Sequence, residues 1–248
     1  MLVASSVRRL SDGKAFWYAE AITPVGSMFV KLPFVQPTGG HESQWQEYIA
    51  LRLAREAGLP AMNPHPVEVA ADLVIDEDRA RTFWGHGNRF NATPYQRSLL
   101  PGNGYDELSD SQKATLYVFD NFLFYTDRAR PSRPPSRQDC WLADDGTPVI
   151  IDWDHYGAPT PSQPGIRTDH YNWDASKFLG VQRRAHEVKR SCDAVVASLN
   201  DGVVHDVVAS AAEIWDRVDE AAVGAWLIAR RNALSSAFSN ATTPPWMP

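Results

Sequence analysis

The chain has 248 residues, 44% of them hydrophobic, and a formal net charge of −6. That length supports a substantial core in one domain or two lobes, and an acidic chain with no basic face argues against nucleic-acid binding. Two cysteines, Cys140 and Cys192, make no disulfide framework and suit a reduced, cytoplasmic protein; no apolar run reaches the length of a membrane span, and the opening MLVASSVRRL lacks the pattern of a secretory signal.

The first 35 residues read as strands. Val7–Leu10 is a short one, Ser11-Asp12-Gly13 a turn, Ala15–Ile22 an aromatic-bearing strand, Pro24–Ser27 a second turn, and Met28–Pro33 a strand with Lys31 inside it. An ammonium in an apolar strand is costly unless paired. Lys31 is therefore either an edge-strand lysine reaching solvent or a phosphate-binding lysine held by a carboxylate.

His41–Ala57 supplies a candidate for that carboxylate. Trp45, Ile49, Leu53 and Ala57 recur every fourth residue, and Gly58 and Pro60 stop the helix. Glu47 lies in its early half and is the expected partner of Lys31. Glu42 serves the helix N-terminal dipole and Glu56 faces solvent.

Further strands are expected at Val67–Ala70, Leu73–Ile75 and Arg81–Trp84, the last two separated by a turn. Gly85-His86-Gly87-Asn88 then breaks the pattern. In a two-lobed nucleotide binder the chain would cross here, and backbone near Trp84, Gly85 and His86 would meet an adenine edge; an ordinary glycine-rich loop is the equal alternative. No spaced His or Cys accompanies His86 to make a metal site.

From about residue 105 the pattern turns helical. Ser109-Asp110-Ser111 offers an N-cap to a helix over Gln112–Tyr125, whose apolar run from Leu116 ends in Thr126-Asp127-Arg128. Cys140–Ala143 and Pro148–Ile151, joined through Asp144-Asp145-Gly146, read as a hairpin, and its second strand runs out into Asp152-Trp153-Asp154. An acid just past a buried helix and another just past a buried strand are held by rigid elements. Such acids can orient a hydroxyl and hold a divalent cation, and phosphoryl transfer asks for little else besides phosphate positioning. Taken singly, each is equally a cap or turn residue.

The arginines of the loop Arg128–Arg137 suggest an acidic or phosphorylated acceptor, or a solvated loop. Helices follow at Asn172–Leu179, Gln182–Leu199, within Gly202–Val218 and at Ala221–Phe238. Arg230-Arg231 in the last is expected on a solvated face, pairing with Asp219 or Glu220. A strand-rich first third and a helix-rich remainder predict an α+β protein of two lobes, with the ligand between them. The boundary is expected between residues 86 and 87, giving lobes of 1–86 and 87–248.

This ordered set resembles the small HipA-like kinases, of the protein-kinase-like and phosphatidylinositol-kinase-like fold. The likeness spans most of the chain. It rests on Phe29-Val30-Lys31-Leu32, the helix from Glu47 to Pro60, Phe119-Asp120-Asn121 through Thr126-Asp127-Arg128, Asp139-Cys140-Trp141-Leu142, Val149–Asp152, and Trp215 with Arg230–Leu234.

The resemblance implies a two-lobed fold with a β-rich N-lobe and a mainly helical C-lobe, and an ATP-dependent Ser/Thr protein kinase. Lys31 would meet the nucleotide phosphates and Glu47 would hold it. Asp127, with Arg128 beside it, would orient the acceptor hydroxyl, and Asp152 would ligate magnesium. The family's asparagine, a second metal ligand, aligns with Asp139, an oxygen donor that still suits magnesium. The glycine-rich phosphate loop is weak, with Gly13 and Gly26 alone near the first hairpin. The acceptor is a protein or small-molecule hydroxyl. Ile151-Asp152-Trp153-Asp154 also looks like the aminoglycoside and choline kinases, and the replaced asparagine leaves a non-catalytic pseudokinase as a further alternative.

Overall fold

A computed structural model describes residues 1–12, 16–33, 42–73, 88–95, 100–101, 104–125, 139–143, 145–153 and 185–239. Six strands form the first sheet: β1 (Leu2–Val3), β2 (Ser6–Asp12), β3 (Phe16–Thr23), β4 (Gly26–Pro33), β5 (His65–Glu68) and β6 (Arg89–Pro94). Their order is β1-β5-β6-β4-β3-β2. All neighbours run antiparallel except β1 and β5. Gly26, at φ 121°, lets the chain reverse between β3 and β4.

Alternation sets the sheet's two faces. Met28, Val30 and Leu32 on β4 are buried and pack with Phe90 and Ala92 on β6 and Ala19 and Ala21 on β3. Phe29 and Lys31 therefore point to the other face. β4 lies inside the sheet with β6 on one side and β3 on the other, which removes the edge-strand reading of Lys31.

Helix α1 (Glu42–Glu56) lies beside that second face. Trp45, Ile49 and Leu53 are buried as their spacing predicts, and Glu56 is exposed. Gly58, at φ 77°, ends the helix, with the amides of Gly58 and Leu59 donating to the carbonyls of Arg55 and Ala54 at 2.9 Å. The chain then runs straight into the second sheet's neighbourhood: the amide of Ile150 donates to Pro60 and that of Met62 to Ile150.

The second sheet joins β7 (Leu100–Pro101), β8 (Cys140–Leu142) and β9 (Pro148–Ile150) in that order. β8 and β9 form the expected hairpin, with Cys140 opposite Ile150 and Gly146 at φ 79° in the turn. A short helix, α2 (Gly104–Glu107), packs on it. Helix α3 (Asp110–Leu123) starts at a capping box: the Gln112 amide donates to Ser109 Oγ and the Ser109 amide to Gln112 Oε1. The remaining helices are α4 (Ala185–Ser198), α5 (Asp201–Ala212) and α6 (Glu220–Ser239).

Several expectations shift. β6 lies mid-sheet, so the first sheet continues past residue 86, and the chain passes to the second sheet only between β6 and β7. Pro94 is the last residue of β6 in register with β4. Ala71–Leu73 is a 3-10 turn where a strand was expected to begin. Residues 74–87 and the helix expected at 172–179 lie outside the described residues. Among the described residues, no helix is long and apolar enough to cross a membrane.

Arg230 and Arg231 correct the reading of a solvated face. Arg230 is 0% exposed. It falls four residues after Trp226 and four before Leu234, on the buried stripe of α6, and its guanidinium caps the end of α3 through the carbonyls of Asn121 and Phe122. Last-turn carbonyls lack the amide four residues on that serves the helix interior; that of Asn121 also accepts from the Phe124 amide at 3.2 Å. Arg231 donates to the Leu199 carbonyl at 2.9 Å and pairs with Asp201 at 2.6 Å, rather than with Asp219 or Glu220.

Candidate functional site: a lysine between two carboxylates

Lys31 Nζ lies 2.9 Å from Glu47 Oε1 and also contacts Asp152 Oδ1. Three elements deliver these groups. β4 turns the lysine away from the sheet's apolar core, α1 presents Glu47 from the buried side, and Asp152 lies two residues past the end of β9. Lys31 and Glu47 are both largely withdrawn from water, whereas the Asp152 side chain keeps 32% of its exposure. A desolvated ammonium between two carboxylates is held extended and strongly oriented.

Gln44 fixes the lysine's backbone to α1. Its Nε2 donates to the Lys31 carbonyl at 3.2 Å, and its Oε1 accepts from the Asn91 amide at 2.9 Å. The pairing of β4 with β6 runs from Met28↔Pro94 to Val30↔Ala92, so the Gln44 side chain bridges the two strands just past it.

A cavity of about 190 Å³ opens beside the lysine. Alternate residues of the two central strands line it: Phe29 and Lys31 from β4, Asn91, Thr93 and then Tyr95 from β6 and its end. Glu47 and Leu51 of α1, Met62 beyond it, and Trp141 and Ile151 of the hairpin complete the wall. The walls are apolar, with charge concentrated at the Lys31–Glu47 end. Asn91 is 3% exposed, and its Oδ1 finds no hydrogen-bond partner among the described residues.

The carboxylates at the hairpin's open end adopt unusual backbone. Asp139, just before β8, has φ 57° and Asp152, just after β9, has φ 68°. Their neighbourhood is closed by the Ile151 amide donating to the Asp139 carbonyl at 2.8 Å. Phe124, at the end of α3, has φ 56°. Left-handed backbone at non-glycine residues concentrates at functional sites, and Asp tolerates it better than most.

Asp139 and Asp152 thus stand at the two ends of one hairpin, and both are oxygen donors of the kind magnesium takes. Among the described residues no group of three or more His, Cys, Asp or Glu side chains is gathered as a metal cluster. The oxygen donors of this pair suit a hard cation.

Asp127 and Arg128 lie outside the described residues, two and three positions beyond Tyr125, where description of that segment ends. Trp84 and His86 lie outside them too. Of the eight expected site residues, four are described, and Lys31, Glu47 and Asp152 are in direct contact. Sequence reasoning passed over Gln44, Asn91 and Thr93. The signal for the last two was the alternation Phe90-Asn91-Ala92-Thr93, a half-polar strand in a stretch taken as lying beyond the first lobe.

No family model matches the sequence, and no curated protein sequence matches it. The fold does match. The crystal structure of the Helicobacter pylori proinflammatory kinase CtkA aligns over 94% of this chain and 94% of that one, with a TM-score of 0.59 at 8% identity. The protein has the two-lobed α+β fold of protein-kinase-like proteins, with a curled β-sheet N-lobe and a helical C-lobe, in agreement with the resemblance to HipA-like kinases seen in its sequence. A weaker alignment, with a TM-score of 0.33 at 12% identity, covers 94% of this chain and 63% of a chain in the Shewanella oneidensis MR-1 toxin–antitoxin complex of HipA, HipB and operator DNA.

Proposed function

We propose that this protein is an ATP-dependent phosphotransferase that moves a γ-phosphate to a hydroxyl, in the manner of a HipA-like Ser/Thr protein kinase. The observation that carries the reading is the Lys31 ammonium, held between Glu47 and Asp152 at the polar end of an apolar cavity. A cavity of that size is below the roughly 300–1,000 Å³ of a drug-sized site, so it takes the base and leaves the phosphates toward the hairpin's open end.

In this reading the apolar walls from Phe29, Met62, Trp141 and Ile151 exclude water from the base. Lys31 donates to the phosphate oxygens, and Glu47 holds its side chain extended so that the charge faces the ligand. Asp152 and Asp139 are the residues that would hold magnesium, which when bound neutralises charge on the phosphates. Asp127 accepts the hydrogen bond of the acceptor hydroxyl and aims its oxygen in line, with Arg128 beside it. These are positioning and electrostatic tasks, which is what this chemistry needs from a protein. The remaining expectations stand as part of the proposal: a cytoplasmic location, and a protein or small-molecule acceptor with neither nucleic acid nor membrane as partner.

Thermal unfolding with ATP and magnesium tests the first half. A ligand bound only to the folded form at 100 times its Kd stabilises by about 2.7 kcal/mol, a clear rise in midpoint. No rise with ATP and magnesium, manganese or calcium would remove the reading. Labelled ATP tests the second half: label appearing on protein supports a protein kinase, and label moving only to a supplied alcohol supports a small-molecule kinase. Asp127→Asn and Asp152→Asn should each lower turnover by orders of magnitude with the fold intact; wild-type rates in either variant would overturn its assignment.

A further inference from the structure

Asp152 carries a left-handed backbone, and the next residue explains how that conformation is kept. Trp153 is 0% exposed, and its Nε1 donates to Asp120 Oδ1 at 2.8 Å. Its ring meets Phe119 edge-on, with centroids 5.4 Å apart and planes at 76°. Phe119 and Asp120 both belong to the last turns of α3. The end of that helix is itself clamped from the other side by Arg230, whose guanidinium lies 5.7 Å from the Phe124 ring centre. An aspartate inside the apolar run of a helix is costly to bury without hydrogen bonds; Asp120 is 2% exposed, and the Trp153 N–H supplies one such bond.

We propose that the Trp153–Asp120 hydrogen bond is a positioning latch: it anchors the chain one residue past Asp152 to the rigid end of α3, and so holds the Asp152 carboxylate facing Lys31 and the ligand. The proposal rests on the reading of Asp152 as a magnesium-binding group. Neither Trp153 nor Asp120 lines the cavity beside Lys31. Their effect passes through the backbone of Asp152, whose φ of 68° has no glycine to relax it.

Partners behind a metal ligand typically change metal affinity about 10–100-fold when removed. The full-length chain is titrated with magnesium at a fixed, saturating concentration of a non-hydrolysable ATP analogue, and the rise in melting midpoint is followed. Trp153→Phe keeps the aromatic bulk but loses the N–H donor. It should raise the magnesium concentration for half-maximal stabilisation at least about tenfold. Trp45 provides the matched control, being equally buried with no acceptor for its Nε1 among the described residues. Trp45→Phe should leave that magnesium concentration unchanged, whatever it does to the midpoint without ligand.

The acceptor side gives a second route should Trp153→Phe fail to fold. Asp120→Asn retains an oxygen acceptor and should stay near the wild-type magnesium dependence, whereas Asp120→Leu should shift it as Trp153→Phe does. An unshifted magnesium dependence in Trp153→Phe, or equal shifts in Trp153→Phe and Trp45→Phe, overturns the latch while leaving the nucleotide site standing. A wild-type protein that shows no magnesium-dependent response to the analogue overturns both.

Discussion

Lys31 is where the chain's chemistry is concentrated. A strand lysine has two ordinary fates, solvent at an edge or a partner in the interior, and sequence alone left both open. The order of the strands decides between them, because β4 has neighbours on both sides. The cation also holds two acids together, so its removal has a cost apart from catalysis. Breaking a buried ion pair by deleting one partner typically costs about 3–5 kcal/mol. Lys31→Met should lose roughly 3 kcal/mol in denaturant unfolding, toward the low end because Asp152 remains partly solvated. Adding Glu47→Gln should restore part of it, a non-additivity that a double-mutant cycle measures directly.

Cys192 shows the opposite kind of residue, one with chemistry switched off. It is buried on α4, and burial pushes its thiol from 9.0 up to about 12. The neutral thiol is therefore favoured in the folded protein. Stability from this group is complete below pH 9 and is lost as pH rises from about 9 toward about 12, because the unfolded chain ionises first. At pH 8 an alkylating reagent should leave Cys192 unmodified in the native protein and label it once denaturant is added.

Among the elements, helix starts and stops were the most legible features. The Ser109 cap, the Gly58 stop and the Gly146 turn each follow from a local backbone need that one residue type meets. What an element packs against was not legible. α2 comes so near the hairpin that a methyl group on Gly104 would stand 2.7 Å from the Cys140 carbonyl carbon and closer still to the Trp141 oxygen. Backbone cannot yield as a side chain does, so Gly104→Ala should destabilise by about 1–3 kcal/mol, seen as a lowered midpoint. A wild-type midpoint would mean that α2 moves freely off β8. Arg230 carries the same lesson. It was expected on a solvated face, and only the carbonyls at the end of α3 show why a guanidinium sits on the buried stripe of α6.

At the scale of the molecule, the buried apolar side chains among the described residues gather into two clusters, one within the first sheet and one joining α1 to the hairpin and the C-terminal helices. Polar contacts link the two: Lys31 with Glu47 and Asp152, Gln44 with both central strands, and Arg89 with the turn after α5. Arg89 Nη1 donates to the Ile214 carbonyl at 2.8 Å, and Trp215 Nε1 donates to the Arg89 carbonyl at 3.1 Å. Such a seam is weaker than a merged core, and it is where a ligand joining the two parts acts most. Trp215→Phe keeps the ring beside Tyr48 and removes one hydrogen bond, worth about 1 kcal/mol. The midpoint should fall by about 2–4 °C in a chain of this size. Unfolding followed through the sheet and through the helices should separate further in the variant than in the wild type.

From the sequence alone came the elements and a short set of candidate groups: a lysine in a strand, a glutamate early in a helix, and acids where a helix and a hairpin end. These are local matters, governed by periodicity, caps and turns within a few residues of one another. Tertiary structure alone decided that Lys31 is interior, that Glu47 and Asp152 meet on it, that Asn91 and Thr93 line the cavity, and that Arg230 is buried. Each of these depends on contacts between residues far apart in the chain, from the 16 positions separating Lys31 and Glu47 to the 121 separating Lys31 and Asp152. No local propensity encodes them, because the energy that selects such contacts comes from burial and pairing once the sheets and helices have packed.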